Sequence, residues 1–115
     1  MGNVSWDESL DAIVAAPDHH KILLENDEVR VLETRVGPGE KTPIHTHRWP
    51  GALYVLSWSD FKRYDYNGNL MFDSRTAASQ PALGAAIWAA PITAHFIENI
   101  GNEELRVIAV ELKKA

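Results

Sequence analysis

Two histidines, His45 and His47, stand one residue apart in the stretch GEKTPIHTHRWPGALYVLSW, after a turn rich in glycine and proline and before an apolar run. In an extended strand, residues i and i+2 project to the same face, about 6.5–7 Å apart along the chain. Both imidazoles can therefore aim at one point, and a divalent ion about 2.0–2.1 Å from each nitrogen fits that arrangement. Two ligands alone rarely hold a metal. The third donor expected is His95, in PITAHFIEN, at the start of a strand after a proline turn. His19 and His20, at the entry to the first strand, are expected to be ordinary surface histidines. Imidazole accepts Fe, Zn, Mn, Ni and Cu, so the pattern asks for a divalent transition metal without naming it.

Other residues near the pair could serve a ligand. Arg48 is a candidate guanidinium clamp for an anion, and Tyr54 a candidate hydrogen-bond donor to it. The competing reading of Trp49 and Tyr54 is that they simply fill the interior, as aromatic side chains mostly do. Trp58 and Trp88 are expected in the core, and Asn99 is expected to tie down a turn or strand end. Lys62-Arg63 and Lys113-Lys114 read as solvated strand ends. A metal-free chemistry, with a lone histidine as base, would need a partner acid, for which Tyr54 and Asp65 are equally arguable. No Gly-x-Ser-x-Gly elbow presents a serine nucleophile, and GPGE lacks the lysine and helix of a phosphate-cradling loop.

The elements that must position these groups are mostly short strands. SWDESLDAIVAAP is the one convincing helix: Ser5 and Glu8 have capping-box spacing, Trp6, Leu10, Ile13 and Val14 share a face, and Pro17 ends the run. KILLEN and EVRVLETRV flank an Asn26-Asp27 turn. ALYVLSW is nearly all apolar, as expected of a central strand covered on both faces. FKRYDY and LMFDSR flank Asn67-Gly68, the favoured pair for a type I′ hairpin. AAIWAA, HFIENI and LRVIAVELK are the last three strands, with Gly101-Asn102 between the final two. An N-terminal helical segment over residues 1–18 and an all-β sandwich or barrel over 19–115 follow from this pattern.

The 115 residues suit a single domain, and a composition 45% hydrophobic and 23% charged suits a folded one. A formal net charge of −5 with no run of basic residues argues against nucleic acid as a partner. The absence of cysteine removes disulfides, thiolate ligands and a cysteine nucleophile together, and is compatible with the cytoplasm. No apolar run is long enough to span a bilayer, and no basic segment followed by an apolar one suggests a secretory signal.

Gly39, His45 and His47 match the first motif of the cupin superfamily, G-x5-H-x-H-x3-4-E-x6-G. Gly84, Pro91, His95 and Asn99 are similar to its second, G-x5-P-x-G-x-x-H-x3-N, with the H-x3-N spacing intact. The resemblance runs from Lys21 to Lys113 and implies a cupin-like β-barrel or jelly roll of the RmlC-like kind. Three departures stand out. The family's glutamate would fall at Gly51 or Ala52, Thr93 stands where glycine is expected, and Pro91 lies one residue too close to His95. Glu98 is nearby, but its offset from His95 puts it on the opposite strand face. The site expected is thus a three-histidine triad of His45, His47 and His95.

Three neutral imidazoles leave the charge of a dication uncompensated, which favours an anion or hydroxide at its open positions. Thiol dioxygenases, which this arrangement resembles, hold Fe(II) with three histidines and oxidise a thiolate with O₂. Zn(II) on three histidines suits hydration or hydrolysis. The expectation is a mononuclear metalloenzyme, a dioxygenase or another, acting on a small organic anion. The alternative is a non-catalytic cupin that binds or senses a small molecule. The resemblance also implies a homodimer.

Overall fold

The structure, a computed structural model, describes residues 6–77 and 80–114. Among the described residues, a 3-10 turn (Glu8–Leu10) and a short helix α1 (Ala12–Ala15) precede nine strands. These are β1 (His20–Glu25), β2 (Val29–Val36), β3 (His45–His47), β4 (Gly51–Ser57), β5 (Phe61–Asp65), β6 (Leu70–Asp73), β7 (Ala86–Ala89), β8 (Ile92–Asn99) and β9 (Leu105–Leu112). They pair antiparallel into two sheets, ordered β1-β2-β9-β4-β7 and β3-β8-β5-β6. The chain is all-β, as its alternating pattern and frequent turns predict.

The expected N-terminal helix is instead two short pieces. Asp7 caps the first by accepting from the Ser9 amide at 2.9 Å, and Asp11 caps α1 by accepting from Ile13 at 3.4 Å. Two caps four residues apart restart the chain rather than continue it. Ser5, expected to open a capping box, lies outside the described residues. The buried face is Ala12 and Ala16, whereas Val14 is exposed. Small side chains let this segment lie close on β1 and β3, against which α1 packs.

Strand parity sets the interior. Along β2 the buried residues include Arg30, Leu32 and Val36, and their partners on β9 are Glu111, Ala109 and Leu105. On β4, Gly51 and Val55 are buried while Ala52 and Tyr54 are exposed, so this strand has one covered face rather than two. Val36, Phe61 and Leu105 form the apolar core, with Trp58 and Ile97 packed against it. Trp88 is not core: it is 63% exposed on β7.

Turns fix the registers. Asn26 accepts the amides of Glu28 and Val29 and closes the β1–β2 hairpin. The β5–β6 hairpin is not type I′, since Gly68 has φ 84° but no residue other than glycine has positive φ among the described residues. The Gly68 amide donates to the Asp65 carbonyl, and the Asp65 carboxylate accepts from Asn67 and Asn69. That is a type I turn followed by a left-handed glycine. Gly39, also left-handed at φ 77°, donates its amide to the Asn99 carbonyl, so the loop before the histidine pair docks on the end of β8.

Candidate metal centre

β3 pairs with β8 so that His45 faces His95 across the strands. His47 shares the face of His45, and the three rings meet: centroids lie 5.0 Å apart for His45–His47, 4.5 Å for His45–His95 and 5.5 Å for His47–His95. A fourth ring joins them. His20, at the start of β1, sits 4.7 Å from His45 and 5.2 Å from His47 and is 5% exposed. The expectation of a surface histidine there is therefore wrong. β1 places its first residue under α1, and the Ala16 carbonyl seals the ring from above by accepting from Nδ1 at 3.0 Å. One ring nitrogen from each of His20, His45 and His47 lies within 4.8 Å of the others, a spacing that could hold a metal ion.

The hydrogen bonds select which nitrogen is free. Nδ1 of His45 lies 2.8 Å from the Pro43 carbonyl, and Nδ1 of His95 lies 2.7 Å from the Thr93 carbonyl. A carbonyl only accepts, so Nδ1 carries the proton in His20, His45 and His95, and each Nε2 holds a lone pair. In His45 and His95 that Nε2 is buried with no partner. Nδ1 of His47 lies 3.4 Å from the Glu111 carboxylate, an ion-pair contact longer than a good hydrogen bond. Burial is the main force holding these rings neutral. It lowers His20 and His47 to about 3 and His95 to about 2, and mutual repulsion among the rings adds to it. His45 is lowered by burial too. Neutral imidazoles with orphaned lone pairs on one face are what a transition metal needs. The donor set fits a divalent ion.

No side chain fits at Gly51, because a Cβ there would fall 1.8 Å from the Val110 carbonyl oxygen, and the Ala52 side of the strand faces outward. An acid from β4 is thus excluded. The carboxylate near the cluster comes from the adjoining strand instead, since Glu111 on β9 pairs directly with Gly51. Glu111 is held by Arg30, whose Nε donates to it at 2.7 Å, and Arg30 forks onto Asp11 at 2.9 and 3.1 Å. Burial raises the Glu111 carboxyl, and the Arg30 guanidinium opposes the rise. This chain of charges ties the cap of α1 to the back of His47. Glu98 is engaged elsewhere, accepting from the Tyr64 hydroxyl at 3.1 Å.

A cavity of about 540 Å³ between the sheets reaches His47 and His95. Its walls include Trp49, Trp58, Phe61, Met71, Phe72 and Trp88. Neither expected ligand-binding residue lines it. Arg48 is exposed with its guanidinium 5.2 Å over the Trp49 ring, and Tyr54 lies on the outer face of β4. Both stand one residue out of parity with the inward row. The cation that does line the cavity is Arg63, read from sequence as a solvated strand end.

No family model matches the chain, and no curated protein matches it in sequence. Solved structures do. A cupin domain from Bordetella pertussis Tohama I superposes with a TM-score of 0.63 at 20% identity, over 82% of this chain and 91% of that one. An RmlC-like cupin with a double-stranded β-helix from Methanocaldococcus jannaschii gives 0.55 at 14% identity, over 97% and 92%. The polyketide cyclase RemF from Streptomyces resistomycificus gives 0.55 at 20% identity, over 98% and 80%. The chain has the cupin fold, a double-stranded β-helix, and carries inside it a histidine cluster that could hold a metal ion.

Proposed function

We propose that this protein is a mononuclear metal-dependent enzyme acting on a small organic anion in its barrel cavity. His20, His45 and His47 hold a divalent transition metal through Nε2, with His95 beside them as a further donor. The observation that carries this is the pair of buried, unpartnered Nε2 atoms on His45 and His95, each on a ring whose Nδ1 is already committed. A buried polar atom without a partner costs about 1–3 kcal/mol, and a bound cation would remove that cost.

A metal held there supplies Lewis acidity, and redox chemistry if it is iron. The chain's own residues do the rest. Thr93, Pro43 and Ala16 fix the tautomers through their carbonyls, Glu111 lies behind His47, and aromatic side chains line the approach. Because the cavity opens on His47 and His95, a ligand can reach the cluster, unlike in a closed structural site. Neutral donors leave the positive charge uncompensated and favour an anion.

Elemental analysis of tag-free protein tests the reading. About one metal per chain is expected, lost in the His45→Ala, His47→Ala double variant. Unchanged metal content in that variant, or none after reconstitution, would overturn it. A second reading, binding or sensing without turnover, is favoured by His20, since a further donor can fill a position that a substrate would use. Fe(II)-loaded protein offered O₂ with thiols and carboxylates separates the two, because substrate-dependent O₂ uptake marks an oxygenase. A homodimer belongs to the same proposal. The edge strand β1 exposes Ile22, Leu23 and Leu24, which a partner strand would cover, and light scattering reads the mass.

A further inference from the structure

We propose that the cavity takes a flat, ring-bearing carboxylate and that Arg63 grips the carboxylate group. The inference deepens the proposed function and rests on its placing the ligand in this cavity.

Arg63 shares strand parity with the buried Phe61 on β5, and both line the cavity. Its partners across the strands are Ile97 on β8 and Phe72 on β6, so neither neighbour supplies a counter-ion. The guanidinium carbon lies 5.9 Å from the ring centroids of both Phe61 and Phe72. Its Nε is buried and has no hydrogen-bond partner among the described residues. The acids nearby are already engaged. Glu111 is held by Arg30, and the Asp65 carboxylate is turned to its own hairpin amides.

An arginine stays protonated in proteins, so this charge cannot be removed by losing a proton. The contrast with Arg30 is instructive: that guanidinium, 2% exposed where Arg63 is half-buried, makes three charged hydrogen bonds. Arg63 completes its fork only if something else brings an anion, and a carboxylate matches the fork in two parallel bonds. The walls set the rest of the ligand. Three indoles, two phenyl rings and a thioether make an apolar slot, and about 540 Å³ falls in the range of small-molecule sites. A planar ring with one carboxylate meets both demands, and His47 and His95 line the same cavity.

Isothermal titration of metal-loaded and chelator-treated protein with benzoate, 2-naphthoate and their neutral amides tests this, with metal content measured in each sample. At least one acid is expected to bind about tenfold or more tighter than its amide in both forms. Arg63→Met should weaken acid binding by about 10- to 100-fold and leave amide binding within about twofold, and Arg63→Lys should retain part of the preference. Equal binding of acid and amide to the unaltered protein, no binding of either acid, or an Arg63→Met variant that still prefers the acid would overturn the proposal. The acid–amide comparison on the unaltered protein does not depend on any variant folding. An acid preference lost only on chelation would assign the carboxylate to the metal, against Arg63 but in favour of the metal site. An acid preference that persists in protein unable to take up metal would support Arg63 and remove the metal reading.

Discussion

Two buried polar regions of this barrel are built on opposite plans. At one end Asn99 uses its whole side-chain amide: Oδ1 accepts from Ser59 and Gly101, and Nδ2 donates to the carbonyls of Val36 and Glu103. At the other end His45 and His95 use one nitrogen each and leave the second bare. All three residues belong to the motifs that resemble the cupin pattern, and all are almost inaccessible to water. A fully partnered buried amide is a structural tie. A half-partnered buried imidazole keeps a lone pair that a metal ion could take, because burial without a partner opposes folding.

The largest effect should come from breaking the tie. Asn99→Ala strands a hydroxyl, an amide and two carbonyls at once, and chemical denaturation should show a loss of about 3 kcal/mol or more. Metal content per folded chain should not change. Loss of metal with unchanged stability would invert the two roles.

A separate handle is the acid sensitivity of the metal-free protein. His20, His47 and His95 have native values near 3, 3 and 2, against about 6.5 unfolded. Between those values the unfolded chain binds more protons than the folded one, so stability falls as pH drops below about 6.5. Each histidine that stays neutral contributes a slope of up to about 1.4 kcal/mol per pH unit. Denaturation of chelated protein from pH 7 to pH 4 measures it, and a flat profile would show that these rings accept protons freely in the folded state.

Glu111→Gln should act through His47. Removing the charge behind the ring is expected to weaken metal affinity about 10- to 100-fold while leaving about one site per chain at saturation, as competition with a coloured chelator would read. The smallest effect on stability should come from the unpartnered ring of His95. His95→Leu loses one bond to Thr93 but removes the orphaned Nε2, so chelated protein should change by about 1 kcal/mol or less while its metal binding weakens. A loss several times larger would make His95 a structural residue like Asn99.

Much of this was legible in the sequence, and the misses share a cause. Strand parity put His45 and His47 on one face, turn residues marked the hairpins, and the second motif put His95 on a later strand. What parity along one strand cannot supply is the neighbour across the sheet or above it. His20 looks like half of a surface His-His pair until Ala12 and Ala16 close over it. Arg30 and Glu111 are 81 residues apart and meet only through the β2–β9 register. Tyr54 is misread for a different reason. In the apolar run of β4 the inward and outward rows look alike, and only Gly51, pressed on Val110, shows which row faces in. Arg63 sat beside Lys62 in an ordinary basic pair, and nothing local distinguished its inward parity.

X-ray absorption at the edge of the bound metal tests the central claim most directly. The account predicts a first shell dominated by imidazole nitrogens at about 2.0–2.1 Å, three or four in number, and no bound metal to measure in the His45→Ala, His47→Ala variant. A shell of water and carboxylate oxygens, the same with and without those two side chains, would contradict it.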